Sequence, residues 1–308
     1  LDFVLVLFSS VGLMTDITFP APNLQNHPST LSHFSRKNGG NEPEIVRQGL
    51  SHGCPVGWFA SRPMTWCPPA LAIGMDETTP GNAPMKMTTE EAFVKVLQMH
   101  GIEHAFGIIG SAMMPISDLF PKAGITFWDC AHEGNAGTIC DGYTRATGKI
   151  AMAIAQNGPG ITNFVTPIKT AYWNHTPMLL VTPQAANKTI GQGGFQEVEQ
   201  MALFRDMVCY QEEVRDPSRM AEVLNRVICK AKRLSGPAQI NIPRDYFTHV
   251  IDVNLPEAIE FERPQGGAKA IAEAAALLSS AKNPVILSGA GVVLGHAIPD
   301  LVKLAEKL

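Results

Sequence analysis

The sequence predicts an α/β protein: an open parallel sheet with helices on both faces, followed by the start of a second α/β domain. Three observations predict it. Six short apolar runs recur between residues 104 and 242, helical patterns with one apolar face lie between most of them, and one further strand-like run follows at 284–288. Strands buried on both faces read as continuous apolar runs, and alternation with helices is what parallel crossovers require.

Residues 1–84 hold ten of the 23 prolines and show no sustained period, so they are expected to be a disordered or non-native extension. The opening run LDFVLVLFSSVGLM carries Asp2 where an export signal has a positive charge, and is too short to span a bilayer. A cytoplasmic chain is the expectation. Regular patterning begins at Met85. Thr88 and Glu91 form a capping-box pair ahead of Ala92, Phe93, Val96 and Leu97, and Gly101 ends that helix. Strands are expected at 104–109, 126–130, 150–156, 178–182, 207–211 and 238–242. The clearest helix is 217–235, with Asp216 as cap, Pro217 in the first turn and Gly236 at the end.

These elements make one domain over 85–250. A Pro-containing linker over 251–267 then leads to an incomplete unit over 268–308: a helix, one strand, a Gly-rich turn and another helix. One strand cannot close a sheet, so the chain is expected to end inside a domain.

At 45% hydrophobic and 17% charged residues the composition is that of a soluble globular protein. A net charge of −4 without a Lys/Arg run speaks against nucleic acid as a partner. The six cysteines, at 54, 67, 130, 140, 209 and 229, form no CxxC pair and no zinc spacing. Cys130 and Cys140 are read as packing residues, and no metal site is expected within these residues. Gly289-Ala290-Gly291 lacks a properly spaced third glycine for a dinucleotide fingerprint and is read as a close-packed turn.

In open α/β sheets ligands sit beyond the carboxyl ends of the strands. Those positions here are Gly110-Ser111, His132-Glu133, Asn157-Gly158-Pro159-Gly160 and Gln184 with its long following loop. Two of the turns are glycine-rich, which permits close backbone approach to a ligand, and one carries a carboxylate.

The ordered set FGIIGS (106–111), HEGNAG (132–137), DGYTRATGK (141–149), NGPGITN (157–163) and FQE (195–197) resembles the N-terminal, pyrimidine-binding domain of thiamine diphosphate-dependent enzymes. GPAQINIPRD (236–245) resembles sequence late in that domain, and KNPVILSGAGV (282–292) resembles the start of the family's central domain. The resemblance implies that Glu133 is the carboxylate that activates the cofactor through N1′ of its pyrimidine. It implies that Gly158, Pro159, Gly160 and Asn163 lie beside that ring and that Gly110 and Ser111 face the reacting centre, although Ile109 stands where many relatives have Pro. Gln196 and His132 are placed at the substrate, with a ring that only satisfies a backbone carbonyl as the alternative for His132.

The longer strings, 85–137 and 187–219, are similar to sulfoacetaldehyde acetyltransferases, which implies sulfoacetaldehyde and phosphate as small anionic substrates and acetyl phosphate and sulfite as products. Acetolactate synthase or a related decarboxylase, or a non-catalytic module of the same fold, are the alternatives. Lys188 and Arg205 are available cations without an assigned role. The family's Gly-Asp-Gly motif, which holds Mg2+ and the cofactor diphosphate, does not occur. Residues 1–308 alone are therefore expected to be inactive, with Mg2+ bound through a C-terminal domain and the full-length form a homodimer or homotetramer.

Overall fold

The computed structural model describes residues 3–9, 12–14, 84–257 and 266–308. In chain order these are β1 (Phe3–Ser9), β2 (Gly12–Met14), β3 (Met85–Thr88), α1 (Thr89–Met99), β4 (His104–Ile108), α2 (Met114–Ser117), β5 (Thr126–Asp129), α3 (Glu133–Thr147), β6 (Ala151–Ala155), α4 (Pro159–Thr162), α5 (Val165–Trp173), β7 (Met178–Gln184), α6 (Gln200–Leu203), β8 (Tyr210–Glu213), α7 (Met220–Leu234), β9 (Pro237–Pro243), β10 (Val250–Val253), α8 (Ala268–Ser280), β11 (Asn283–Ser288), α9 (Ala290–Leu294) and α10 (Ile298–Lys307).

The main sheet has six strands in the order β5-β4-β6-β7-β9-β8, and every neighbouring pair is parallel. This is the expected α/β fold. β4 continues to β5 on one side and has β6 on the other, so the chain changes direction across the sheet between β4 and β6. The carboxyl ends of those two strands open a crevice, the place where doubly wound sheets bind ligands.

Strand alternation divides the core into two layers. Met152, Ile154, Leu179, Val181, Ala238, Ile240 and Ile242 face α1 and α7, while Ala151, Ala153, Ala155, Met178 and Leu180 face α3 and α5. Small alanines on the second face let α3 pack closely. Its buried positions, Glu133, Ala136, Gly137, Cys140, Asp141 and Thr144, fall at helical spacing on one stripe. A Cβ added at Gly137 would lie 2.6 Å from Cγ of Pro167, so the α3–α5 contact admits only glycine there.

The capping box is formed: Thr88 Oγ1 accepts from Glu91 N at 3.3 Å and Glu91 Oε2 accepts from Thr88 N at 2.9 Å. Asp216 caps the turn that leads into α7 through Ser218 N at 2.8 Å. Three expectations need correction. The residue that ends α7 in the left-handed region is Ser235 (φ 49°), and Gly236 instead packs against Cys209, where an added Cβ would lie a tight 3.2 Å from Cβ of Cys209. The strand expected at 207–211 lies at Tyr210–Glu213, since Met207 and Val208 use their apolar side chains to pack under the α5 layer without joining the sheet. Finally, β10 takes residues assigned to the linker and pairs antiparallel with β3, making a two-stranded sheet of its own.

In the second unit β11 does not stand alone. β1 pairs with it in parallel and β2 pairs with β1, giving the order β11-β1-β2. These strands come from the stretch expected to lack regular structure. The β-branched and large apolar residues of Phe3–Ser9 suit a strand, and an open edge on β11 offers unpaired backbone groups to meet. Residues 1, 2, 10, 11, 15–83 and 258–265, including Cys54, Cys67 and part of the expected linker, lie outside the described residues. No helix among the described residues is long and apolar enough to cross a membrane.

Between α1 and α7 the structure holds a buried titratable group. His100 caps α1, its Nε2 lies 2.7 Å from Asn225 Oδ1, and Lys232 Nζ lies 3.3 Å from its Nδ1 and 3.1 Å from its carbonyl oxygen. The Asn oxygen only accepts and the ammonium only donates, so the ring is neutral, with its proton on Nε2. Burial first, and the charge of Lys232 as well, hold the His100 pKa below 6.5 against the opposing effect of the Asn225 hydrogen bond. The unfolded chain then binds a proton that the folded chain resists. Stability is full above pH 6.5 and is lost as pH falls from there through the folded pKa. Urea midpoints should therefore drop between pH 7.5 and pH 5.5, and His100→Gln should flatten that part of the profile. An unchanged slope in the variant would assign the pH dependence elsewhere.

Candidate functional site

Glu133 is the first residue of α3 and sits below the carboxyl edge of the sheet, 9% exposed. Its Oε2 accepts from Asn163 Nδ2 at 2.8 Å. Its Oε1 has no hydrogen-bond partner among the described residues. A Cβ added at Gly160 would come within 3.0 Å of that oxygen and 3.1 Å of Cβ of Ala155. Glycine at 160 thus keeps one carboxylate oxygen clear, while Asn163 fixes the other.

His132 is exposed and N-caps α3, its Nδ1 accepting from Gly134 N at 3.0 Å. This differs from the alternative reading of a contact to a backbone carbonyl: an N–H donor meets the lone pair of Nδ1, which puts the proton of the neutral ring on Nε2. A proton-donating role would have to use that nitrogen.

The turn after β6 is built on glycine for two reasons. Gly158 has φ 72° and ψ −108°, a conformation closed to other residues, and a Cβ there would lie 2.3 Å from the carbonyl oxygen of Gln196. Gly158 N donates to Oε1 of Gln200 at 3.1 Å. Gln200 Nε2 donates in turn to Pro183 O at 2.8 Å and Asn241 Oδ1 at 3.1 Å. Asn241 Oδ1 also accepts from Thr182 at 2.8 Å, and Asn241 Nδ2 donates to Glu213 at 2.8 Å. A buried polar lattice thus braces the turn against β7, β9 and β8, and such networks hold one arrangement when their members are paired.

Gly110 and Ser111 follow β4 as expected. Gly110 packs against Gln156, whose Oε1 would lie 2.3 Å from an added Cβ, and Ser111 is exposed without a side-chain hydrogen bond among the described residues. Gln196 (φ 59°) lies across the turn and accepts from Gln156 Nε2 at 2.8 Å. Lys188 is on the neighbouring loop, where its backbone N–H meets Asp245, and Arg205 follows α6. The long loop between them is held by Glu197, whose carboxylate takes Gly191 N at 2.6 Å and Gly194 N at 2.9 Å and so stays below the usual carboxylate range.

The structure thus brings Glu133, Gly160 and Asn163 into direct contact, and Gly110, Gly158 and Gln196 into a second group joined through Gln156. Sequence reasoning missed Gln156 and Gln200 as contributors, and it placed Asn157 at the strand end without giving it a role. The available signal was a Gln-Asn pair closing an otherwise apolar strand at the carboxyl edge. Among the described cysteines, burial raises the Cys140 thiol above its usual range and pushes that of Cys209 up to about 11. Among the described residues no group of three or more His, Cys, Asp and Glu could hold a metal ion.

With this geometry in place, comparison with known proteins gives the class. Residues 87–203 match the family described as thiamine pyrophosphate enzyme, N-terminal TPP binding domain. That segment is thus similar to the N-terminal TPP-binding domains of the thiamine pyrophosphate enzymes. In particular the chain resembles sulfoacetaldehyde acetyltransferases. It is 78% identical over 229 residues to the one from Roseovarius nubinhibens, covering 74% of this chain and 38% of the relative, and 74% identical over 224 residues to the one from Rhodobacter capsulatus, covering 73% and 38%. A probable acetolactate synthase large subunit from Methanococcus aeolicus is 32% identical over 231 residues, covering 72% of this chain and 38% of the relative. The chain therefore spans about 38% of the length of the curated relatives it matches.

Proposed function

We propose that this chain supplies the pyrimidine-binding part of a thiamine diphosphate-dependent acetyltransferase that converts sulfoacetaldehyde and phosphate into acetyl phosphate and sulfite. The observation that carries the reading is Glu133, whose carboxylate is oriented by Asn163 and left with one open oxygen beside Gly160 at the carboxyl edge of a parallel sheet. A buried carboxylate with an unused acceptor and a glycine cradle suits a planar heterocycle with a ring nitrogen that must share a proton. When bound, thiamine diphosphate supplies a nucleophilic carbon and an electron sink.

The chain's own contribution is positioning and proton control. Glu133 holds a proton at N1′ of the aminopyrimidine, and Asn163 keeps the carboxylate aligned for it. Gly158 and Gly160, with Pro159 between them, form the turn against which the ring would lie. Gly110 and Ser111 border the reacting centre, and Gln196 and His132 Nε2 offer polar groups to the substrate. Mg2+ and the cofactor diphosphate are assigned to a further domain, because no Gly-Asp-Gly motif occurs in these residues. The active form is a cytoplasmic homo-oligomer.

The test is the reaction at full length. Given sulfoacetaldehyde and phosphate, the enzyme should release sulfite and form acetyl phosphate in equal amounts. Conversion of pyruvate to acetolactate, with no sulfite from sulfoacetaldehyde, would make it an acetolactate synthase instead.

A further inference from the structure

Two glutamines at the crevice form a relay whose direction is set by the backbone. Ala112 N, which can only donate, donates to Gln156 Oε1 at 3.0 Å. The amide nitrogen of Gln156 must then face the other way, where Nε2 donates to Gln196 Oε1 at 2.8 Å and to Asn157 Oδ1 at 2.7 Å. Asn157 is fixed in the same sense, because its Nδ2 donates to the carbonyl oxygens of Phe195 at 3.3 Å and Gln196 at 3.0 Å, which only accept. Main-chain groups of fixed polarity, an N–H donor at the Gln156 end and carbonyl acceptors at the Asn157 end, thus anchor the arrangement. The consequence falls on Gln196. Its oxygen is committed to Gln156, and its NH2 group has no partner among the described residues. Freed from Gln156, the amide of Gln196 could turn either its oxygen or its nitrogen outward.

We propose that Gln156 is a positioning residue that fixes the polarity of Gln196, so that the crevice presents N–H donors, and not a carbonyl oxygen, to an anionic substrate group such as a sulfonate. The identity of that anion rests on the functional reading above, whereas the polarity rests on the hydrogen bonds alone. An N–H donor to an anion is a charge-assisted hydrogen bond, stronger than its neutral counterpart. A carbonyl in the same place would repel the anion, so discrimination arises from amide direction without any charged side chain.

A double-mutant cycle in the full-length enzyme tests this, because residues acting through one another show non-additive effects. Gln196→Met should raise KM for sulfoacetaldehyde by about tenfold or more, and Gln156→Met by a smaller factor, each with kcat changed less than about threefold. The double variant should be no worse than Gln196→Met alone. KM effects that multiply, or a Gln156→Met variant impaired in kcat with KM intact, would overturn the proposal. Should Gln156→Met fail to fold, Gln196→Glu keeps an acceptor for Gln156 and replaces the outward N–H groups by oxygen. Its KM should exceed that of Gln196→Met, and a value equal or lower would overturn the donor assignment. Absence of sulfite release by the unmodified enzyme would remove the substrate reading only. The same four proteins are then compared in Kd for ethanesulfonate by calorimetry, where coupled effects support the relay and multiplicative ones overturn it.

Discussion

Glu133→Gln is expected to slow deuterium exchange at C2 of bound thiamine diphosphate by about 10²- to 10⁴-fold, the range that a positioned acid–base group contributes. The substitution is nearly isosteric, and the amide oxygen can still accept from Asn163 Nδ2, now 2.8 Å from the carboxylate. What it removes is the ability to hold and release a proton at the oxygen beside Gly160. The fold should therefore stay intact while the chemistry fails, so cofactor affinity and thermal midpoint should change little beside the rate. Exchange followed by NMR after rapid quenching in the full-length enzyme gives the number. A rate within a factor of two of the parent's would mean that another group activates the cofactor.

The second large effect is expected at Gly158. Gly158→Ala should destabilise the protein and displace the Gln196 segment together, because the two costs have separate origins at one atom. The backbone at φ 72° and ψ −108° costs roughly 1–3 kcal/mol for a residue with a Cβ. The Cβ would also sit 2.3 Å from the Gln196 carbonyl oxygen, too close for either main chain to stay in place. Gly101 provides the control: it has φ 68°, yet an added Cβ there meets nothing within 4 Å. Gly101→Ala should lose only the backbone part, about 1 kcal/mol, and leave substrate KM unchanged. Gly158→Ala should lose more in urea midpoint and raise KM as well. Equal losses at the two positions would show that the contact with Gln196 is slack.

Much of the fold could be read from local signals. The capping box at Thr88, the Asp216-Pro217 entry to α7 and the apolar runs of β4, β6, β7 and β9 each follow from forces between residues close in sequence. Edges and long-range pairs were not legible in the same way. β8 is an edge strand whose Glu212 and Glu213 are used by Arg226 and Asn241, so it lacks the apolar run that marks an interior strand, and the run just before it, Met207-Val208, marks burial without a strand. β3 and β10 are four residues each and meet across the whole domain, so neither carries its partner in its own pattern.

The site divides similarly. Glu133, Gly158 and Gly160 stand at strand ends in a recognisable order, and their residue types announce a carboxylate and close backbone approach. Gln156 and Gln200 act through groups 40 and 42 residues away. A glutamine closing a strand gives no sign of which loop it will hold, because hydrogen-bond direction is decided only when the partners are in space. Ser235 at the end of α7 makes a related point: glycine marks many helix ends, but here Ser235 takes the left-handed position and Gly236 packs closely against Cys209.

The central claim, that Glu133, Asn163 and the Gly158–Gly160 turn receive the aminopyrimidine, is tested most directly by a crystal structure of the full-length enzyme with thiamine diphosphate and Mg2+. N1′ should lie within hydrogen-bonding distance of the Glu133 oxygen beside Gly160, with Asn163 still on the other oxygen and the ring against the glycine turn. A pyrimidine ring bound elsewhere, with Glu133 paired only to Asn163, would contradict it.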